Sequence, residues 1–416
     1  MITLFGVVWL IIIIYSVTRN NLKSIFFWTL LFMTFQSSNV IVINGNGIGS
    51  GVLTTLVLVL KIFVFQKGVL YKIKYGKLVY SSAVVLFFVA LLSVIYNGVF
   101  ESKFILLMQL LSYVLCFISF QFIRASITAN DIYIIVRKII VFHVWFSIIQ
   151  LLATTEILPI KELLRVMFYN DPSTDVVFHK LHYARMMSTF MEPSYFAGFI
   201  VGALFFLLYQ KDKWNKNIFL MGMVVLEILM TKSSTAYGAL LIMAIIFVVS
   251  SKNLTLSQKI LICGLGIIGY VVMYFGFYSV LDAVVFSKDT TGSFSTRRRF
   301  NNTALSCYIQ SPVIGIGYKN CRGSSLIYSL LGQLGIIGVL MYSIFNICIV
   351  WYTRKYSKSL NLFHGNIMKG VTMGVATTVL CQIISCPDLD LCTYWMWLFV
   401  YSMTLLSLKE KEKINE

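Results

Sequence analysis

The feature that most constrains this chain is a succession of apolar stretches, each close to the length that crosses a bilayer and separated from the next by a polar connection. A membrane-spanning helix needs about 20 consecutive apolar residues. Only 12% of the 416 residues are charged, about half the share that a soluble domain carries. Most of the surface must therefore face lipid, and because lipid supplies no hydrogen-bond partners, the spans must be helices.

The apolar periodicity predicts an all-α, polytopic transmembrane bundle of about 12–14 spans, in a single integral membrane domain over residues 1–416. The first apolar stretch lacks a basic segment before it and a small-residue cleavage site after it, so we expect a retained helix rather than a signal peptide. The predicted spans, in chain order, are 2–17, 24–43, 48–66, 79–97, 104–123, 132–153, 194–209, 217–231, 234–250, 260–280, 325–352, 366–386 and 391–408.

Positive charge alternates from one connection to the next. Lys and Arg are concentrated in one set of connections, for example 67–77 and 211–216, whereas the short connections between them carry very few. The positive-inside rule places the basic set in the cytoplasm. Two long polar loops, 154–193 and 281–324, then fall on the outer side of the membrane.

The two long loops differ in charge. The first is nearly balanced, whereas the second carries six Lys and Arg residues against two acidic residues. Arginine stays charged and binds phosphate through paired hydrogen bonds, so the second loop is the predicted anion-binding site. A simple contact with lipid phosphates is the alternative for its run of arginines. The candidate ligands are Arg297, Arg298, Arg299, Lys319 and Arg322, with Tyr318 at the end of a Gly-x-Gly turn that lets backbone approach a ligand.

The end of the first loop carries the candidate acid–base residues. Glu192 directly precedes Pro193, and proline is well suited to the first position of a helix. A helix N-terminus favours negative charge, so Glu192 is expected to act as a base or as a ligand for a sugar hydroxyl. A simple helix cap is the alternative. His182 is the second candidate base, a solvated surface histidine being its alternative, and Arg185 is a further candidate ligand for the anion.

Three other acidic residues lie near the predicted outer face. Asp388 and Asp390 form an Asp-x-Asp pair, which in some sites holds a divalent cation, but plain turn residues are the favoured interpretation. We therefore expect neither a metal nor a cofactor. Glu227 is a carboxylate within a predicted span, where such groups are functional candidates, and Lys232 is its expected partner.

The order of the motifs resembles that of the O-antigen polymerase (Wzy-type) and O-antigen ligase superfamily. The similarity covers about residues 180–345, while the N-terminal spans match in hydropathy alone. The matching motifs are Arg-x(3)-Thr-Phe-x-Glu-Pro-Ser at 185–194, Ser-Ser-Thr-Ala-Tyr-Gly at 233–238, an arginine followed by Ser-Pro-x-x-Gly-x-Gly at 311–317, and Leu-Gly-Ile-Ile-Gly at 334–338.

This resemblance implies a GT-C-type membrane glycosyltransferase of lipopolysaccharide O-antigen biosynthesis. Such an enzyme joins undecaprenyl-diphosphate-linked oligosaccharide repeat units at the periplasmic face of the bacterial inner membrane. Membrane lipids and a chain-length regulator protein are the implied partners, and no nucleic acid is expected. Ligases of the family carry a His-Asn pair shortly before the Leu-Gly motif, where this chain has Arg322-Gly323-Ser324-Ser325, so the departure favours a polymerase and removes an obvious base.

Other functions stay open at this point. An O-antigen ligase and a capsule or exopolysaccharide polymerase share the predicted chemistry and differ in acceptor or product. A lipid-linked oligosaccharide flippase is the alternative from another class. A flippase should place charge in a central cavity between two repeated halves, and the sequence shows no duplicated half.

Overall fold

The computed structural model describes residues 2–19, 22–43, 46–65, 76–123, 127–171, 185–250, 257, 292–358, 360 and 362–415. Within these ranges the chain is nearly all helical, with one small hairpin. The elements are α1 (Leu4–Thr18), α2 (Leu22–Met33), β1 (Asn39–Ile43), β2 (Asn46–Gly49), α3 (Ser50–Leu60, extended by a π-helical turn, Lys61–Phe65), α4 (Lys77–Tyr96), α5 (Phe100–Ser119, followed by a 3-10 turn, Phe120–Phe122), α6 (Ala129–Thr154), α7 (Lys161–Phe168), α8 (Pro193–Tyr209, followed by a 3-10 turn, Lys211–Lys213), α9 (Trp214–Met230), α10 (Ser234–Ser250), α11 (Gly292–Gln310), α12 (Leu326–Tyr356), α13 (Leu362–Ile384) and α14 (Cys392–Asn415).

Five helices of the described ranges are long and apolar enough to cross a membrane: α4, α5 with its 3-10 turn, α6, α12 and α13. Helices α8 and α9 form a further apolar pair, bent by 92°, which makes six if the pair counts as one span. The remaining apolar helices, among them α1, α2 and α10, are shorter. This is the composition of a multi-pass membrane protein, although fewer helices reach full span length than the sequence predicts. The predicted span 260–280 lies outside the described residues.

The prediction of a helix over 24–43 is wrong in its second half. Helix α2 ends at Met33, and strand β1 pairs antiparallel with strand β2. The segment Val40–Ile43 consists of β-branched residues, which pack well on a pleated surface and lose rotamer freedom in a helix. An isolated bridge between Ile2 and Ile41 attaches the N-terminal segment to this hairpin.

Helix α8 forms the centre of the bundle. Every residue from Pro193 to Leu207 is buried, and the helix packs most extensively against α13. A Cβ atom at Gly202 would lie only 3.1 Å from the Cα of Gly374 in α13. A side chain at Gly374 would overlap the Trp397 ring. Small residues permit such close backbone approach between membrane helices. The buried helix therefore holds its N-terminal end, where Glu192 precedes it, in a fixed position.

Helix α12 is kinked at Gly335, and the Gly-x-Gly turn at residues 315–317 packs against the kink. Gly335 has a positive φ of 63° within the helix, and the N–H of Gly317 donates to the carbonyl of Gln333 at 3.0 Å. Any side chain at Gly315 would collide with the Gln333 backbone, and one at Gly335 would collide with the carbonyl of Val313. The glycines of the turn thus allow a close approach to the backbone of α12.

The second long loop contains a 19-residue helix, α11, which carries the three consecutive arginines. Its buried Ala304 packs where Gly332 of α12 leaves room. The Asn301 Oδ1 accepts hydrogen bonds from the Ser324 N–H and from the Ser324 hydroxyl, both at 2.9 Å. The first long loop likewise contains a short helix, α7. The arginine run is therefore presented by a helix that is fixed to α12.

Candidate functional site

A cluster of charged and phenolic side chains joins three segments that are far apart in the chain. The Lys319 ammonium contacts Asp388 Oδ1 at 2.7 Å and Asp390 Oδ1 at 2.6 Å. The Tyr195 hydroxyl, in the first turn of α8, donates to Asp388 Oδ2 at 2.9 Å. The buried Tyr318 places its hydroxyl beside Asp390. These five residues are the ion cluster, which joins α8, the turn before α12 and the α13–α14 connection.

The charges of the ion cluster stabilise one another. Burial by itself raises the pKa of Asp388, but the charges of Lys319 and Arg322 and the hydrogen bonds from Lys319 and Tyr195 lower that pKa to about 2. Burial by itself lowers the pKa of Lys319, whereas the carboxylates of Asp388 and Asp390 raise that pKa well above its usual range. Asp388 and Lys319 therefore stay ionised at neutral pH.

Three helices hold the α13–α14 connection. Gln382 Nε2 donates to the Asp388 carbonyl at 2.8 Å, and the Tyr342 hydroxyl of α12 donates to Gln382 Oε1 at 2.8 Å. The Trp395 indole N–H of α14 donates to the Leu389 carbonyl at 3.1 Å. Asp388 is therefore fixed through its backbone as well as its carboxylate. It is not the plain turn residue that the sequence favoured.

A metal ion bound by the Asp-x-Asp pair would have to compete with a cationic side chain. Both carboxylates, Asp388 and Asp390, already contact the ammonium of Lys319. Among the described residues, no group of three or more His, Cys, Asp or Glu side chains is arranged to hold a metal ion. The geometry of the pair is that of a salt-bridged turn.

An exposed rim borders the ion cluster, and Glu192 is its acidic member. Glu192 precedes α8 in an extended conformation, and its side chain makes no capping hydrogen bond to that helix. It accepts a hydrogen bond from the Ser194 hydroxyl at 3.2 Å. Arg322, whose side chain is 61% exposed, lies 3.4 Å from the Tyr195 hydroxyl and 3.7 Å from Asp388 Oδ2. Glu192 is therefore the N-cap residue by position, as the capping alternative predicts, but its carboxylate makes no cap bond, and Arg322 is loosely held.

Arg185, in the segment that precedes α8, is the third residue of the rim. Its Nε donates to the carbonyl of Thr231 and its Nη2 donates to that of Lys232, both at 2.9 Å, at the C-terminal end of α9. Burial lowers the pKa of Arg185, and the charge of Glu192 opposes this effect. Burial also lowers the pKa of Arg322, but nearby groups, including Asp388 and Glu192, raise it overall. Glu192 thus lies within electrostatic reach of both arginines, and the rim is defined as Arg185, Glu192 and Arg322.

The three arginines of α11 are not equivalent. Arg297 is half-buried, whereas Arg298 and Arg299 are exposed. Arg297 lies one helical turn before Asn301 and therefore on the same face, and Asn301 is the residue that binds Ser324 beside the rim. None of the three makes an ion pair with a residue that the structure describes. Arg297 thus lies on the face of α11 that packs against the chain, whereas the other two arginines lie at the surface.

The other predicted site residues fall into two groups. Lys319 and Tyr318 lie within the ion cluster, where Lys319 is engaged by two carboxylates and Tyr318 is buried. His182, the second candidate base, lies outside the described residues. Sequence analysis missed Tyr195, although its position in the first turn after Glu192 and Pro193 was the available signal.

Sequence analysis also missed a buried polar column on α6. His143, Ser147 and Gln150 recur at a spacing of four and three residues and are all fully buried. The His143 ring makes hydrogen bonds of 2.8 Å with the hydroxyls of Ser188 and Thr34. Buried polar groups generally require such partners. The helical spacing of these residues in an otherwise apolar span was the signal that could have revealed them.

The polar column reaches both Glu227 and the rim. Ser147 donates to Glu227 Oε1, so the expected pairing of Glu227 with Lys232 is wrong. Gln150 Nε2 donates to the carbonyl of Arg185 at 3.1 Å. The column therefore fixes the backbone from which the Arg185 side chain extends.

Comparison with models of known protein families and with functionally characterised proteins finds no match to this chain. The arrangement contains an exposed carboxylate near two arginines, beside a buried ion cluster that fixes the segments carrying them.

Proposed function

We propose that this protein is a GT-C-type membrane glycosyltransferase, an O-antigen polymerase that joins undecaprenyl-diphosphate-linked oligosaccharide repeat units at the periplasmic face of the bacterial inner membrane. The observation that carries the proposal is the environment of Glu192. This exposed carboxylate precedes the central buried helix, makes no capping hydrogen bond and lies within reach of Arg185 and Arg322. The order of motifs around these residues supports the same function.

The proposed reaction uses Glu192 as the proton acceptor. A sugar hydroxyl of the acceptor attacks the anomeric carbon of the donor glycan, and the bond from that carbon to the diphosphate oxygen breaks. The hydroxyl proton passes to the Glu192 carboxylate, and the lipid diphosphate leaves with the bonding electrons. General base catalysis of this kind contributes about 10²- to 10⁴-fold to the rate. His182 remains the alternative base.

The departing diphosphate requires cations that are already in place. Such groups stabilise charge that develops in the transition state without a cost of reorganisation. Contacts with the Tyr195 hydroxyl at 3.4 Å and with Asp388 Oδ2 at 3.7 Å place Arg322 beside the ion cluster, and its exposed side chain leaves donors available for a ligand. Arg185 uses two N–H groups on backbone carbonyls, and the guanidinium has five donors in total. Arg297, on the inward face of α11, is the third proposed ligand.

Lys319 and Tyr318 have a different role in the proposal. The Lys319 ammonium already has two carboxylate partners, and Tyr318 is fully buried. A diphosphate would have to displace Asp388 and Asp390 to reach Lys319. We therefore assign both residues to the positioning of the rim rather than to direct contact with substrate.

The deciding experiment replaces Glu192 with Gln and measures polymer formation from lipid-linked repeat units by the purified protein. Glu192→Gln keeps the shape of the side chain and removes the base, so the rate of polymer formation is expected to fall about 10²- to 10⁴-fold. The matched control is Glu162→Gln, an exposed carboxylate of the same long loop that pairs with Arg165 on α7. The control should polymerise at the wild-type rate.

The same assay separates the alternatives. Long chains formed at the wild-type rate by the Glu192→Gln protein would contradict the proposed base. Transfer to a lipid A–core acceptor, without chain growth, would identify a ligase instead. Movement of the lipid-linked unit across the membrane, with no new glycosidic bond, would identify a flippase. A capsule or exopolysaccharide polymerase would give the same kinetics with a different repeat unit.

A further inference from the structure

A cavity of about 340 Å³ lies between the N-terminal part of α6 and the start of α9. Its lining includes Tyr133, Ile134, Arg137, Lys138, Lys213 and Lys216. Four of these side chains are cationic, and none of the lining residues is acidic. We propose that this cavity, the basic cavity, binds the phosphate group of an anionic phospholipid. The proposal is independent of the glycosyltransferase function.

Within the part of the chain that the structure describes, no acidic side chain forms an ion pair with the cations of the basic cavity. Arg137 Nε donates to Asn217 Oδ1 at 3.0 Å, and the Tyr133 hydroxyl donates to the same oxygen at 3.0 Å. A neutral amide therefore orients the guanidinium without compensating its charge. Asp131, in the first turn of α6, is engaged by Lys23 at 2.8 Å and by the Thr128 cap.

The start of α9 adds to this positive potential. The N-cap residue of this 17-residue helix is Lys213, and no side chain makes a capping hydrogen bond there. The free N–H groups at a helix N-terminus carry a partial positive charge and favour phosphate. Lys213 and Lys216 both belong to this end of the helix. The cations of α6 and the N-terminus of α9 therefore act on the same cavity.

The surroundings of the cavity favour a lipid over free phosphate. Ile134, which lines the cavity, is 39% exposed, and Ile218 and Phe219 on the next turn of α9 are 69% and 76% exposed. These side chains offer an apolar surface along which acyl chains can lie. Trp214, at the start of α9, is also 43% exposed, and tryptophan is enriched at the level of lipid headgroups. Basic pockets between membrane helices are a known mode of anionic headgroup binding.

The test measures lipid binding to the delipidated full-length protein by native mass spectrometry. The probes are phosphatidylglycerol, phosphatidylcholine and inorganic phosphate. The variant Lys213→Gln/Lys216→Gln is expected to bind phosphatidylglycerol more weakly by about fivefold for each charge removed. The matched control is Lys77→Gln/Lys358→Gln, which removes two exposed lysines elsewhere in the described chain, and should bind like the wild type. A third variant, Arg137→Gln, tests the guanidinium that Asn217 orients.

Each outcome decides the proposal. Weaker binding of phosphatidylglycerol to the cavity variants than to the control, together with weak binding of phosphatidylcholine, supports an anionic phospholipid. Wild-type binding by Lys213→Gln/Lys216→Gln overturns it, provided that the variant elutes as a folded species. Equal binding of both lipids overturns it as well. Displacement of phosphatidylglycerol by millimolar inorganic phosphate would assign the cavity to free phosphate instead.

Discussion

The ion cluster and the rim are neighbours, but they differ in how far their cations are buried and how closely those cations pair with carboxylates. In the ion cluster, Lys319 is 19% exposed and contacts two carboxylates at less than 3 Å. In the rim, Arg322 is 61% exposed and lies 3.7 Å from its nearest carboxylate. The two cations are only three positions apart in sequence. Residue type and sequence position alone do not distinguish a cation that orders the chain from one that is free to bind a ligand.

This difference between the ion cluster and the rim predicts how their variants should behave. Removing a charge from the ion cluster leaves a buried partner without compensation and should lower the free energy of unfolding. Removing the exposed charge of Glu192 or Arg322 leaves no buried partner uncompensated, and exposed ion pairs contribute little. Variants of these two rim residues should therefore fold normally and lose function, whereas variants of the ion cluster should lose both.

The largest effect is expected for Lys319→Ala. It leaves the buried Asp390 without a cation and the half-buried Asp388 with only the distant Arg322, and loss of a buried partner typically costs about 3–5 kcal/mol. The unfolding midpoint in detergent should fall, and little folded protein should be recovered. The variant Lys319→Met/Asp388→Asn/Asp390→Asn removes the charges together and should regain most of the lost stability. An unfolding midpoint at the wild-type value for Lys319→Ala would show that the cluster does not hold the segments together.

Arg322→Ala should have the next largest effect, on activity alone. Loss of one preorganised donor at a developing charge typically reduces the rate about 10²- to 10³-fold. Because Arg322 is largely exposed, the unfolding midpoint should not change. Arg322→Lys keeps the charge but lacks the paired donors, so it should recover part of the polymerisation rate. A destabilised Arg322→Ala protein would place Arg322 in the ion cluster rather than in the rim.

The pH dependence of stability should report Asp388. Its folded-state pKa of about 2 lies below the usual 3.8, so its contribution is fully present above pH 3.8 and is lost as the pH falls to 2. By linkage this contribution is about 2 kcal/mol. The unfolding midpoint in detergent should therefore drop between pH 4 and pH 2. In Asp388→Asn the drop should be smaller, and an equal drop would assign the acid sensitivity to other carboxylates.

The sequence predicts the helices well but not every element. Pro193 at the first helical position gave the start of α8 to within one residue. The apolarity of Val40–Ile43 extends the predicted helix through this segment, whereas its β-branched residues favour the strand that the structure shows. For residues 281–324 the polarity was interpreted as a loop, whereas residues 292–310 form α11. A polar composition does not exclude a helix that packs along one narrow face.

The sequence indicates several residues of the candidate site but not how its buried members pair. Glu192 and Arg322 belong to motifs with recognisable neighbours, and the structure brings them together. The pairing of Lys319 with Asp388 joins residues 69 positions apart, and no local pattern in one sequence indicates such a pair. Similarly, the Gly-x-Gly turn was predicted as a tight turn, but its partner, the kink at Gly335, could be found only from the fold.

The smallest predicted effect is the difference in polymerisation rate between variants of Arg297 and Arg298. It tests whether α11 contributes a residue to the rim. Arg297 shares a helix face with Asn301, which is bonded to Ser324, whereas Arg298 is exposed on another face. If Arg297 adds one charged hydrogen bond to the diphosphate, Arg297→Ala should lower the polymerisation rate about tenfold. Arg298→Ala is the matched control and should change the rate by no more than about twofold, as for an exposed surface charge. Equal losses for the two variants would mean that the helix acts through its summed charge, and the effect of each should then weaken with added salt because exposed charges are screened.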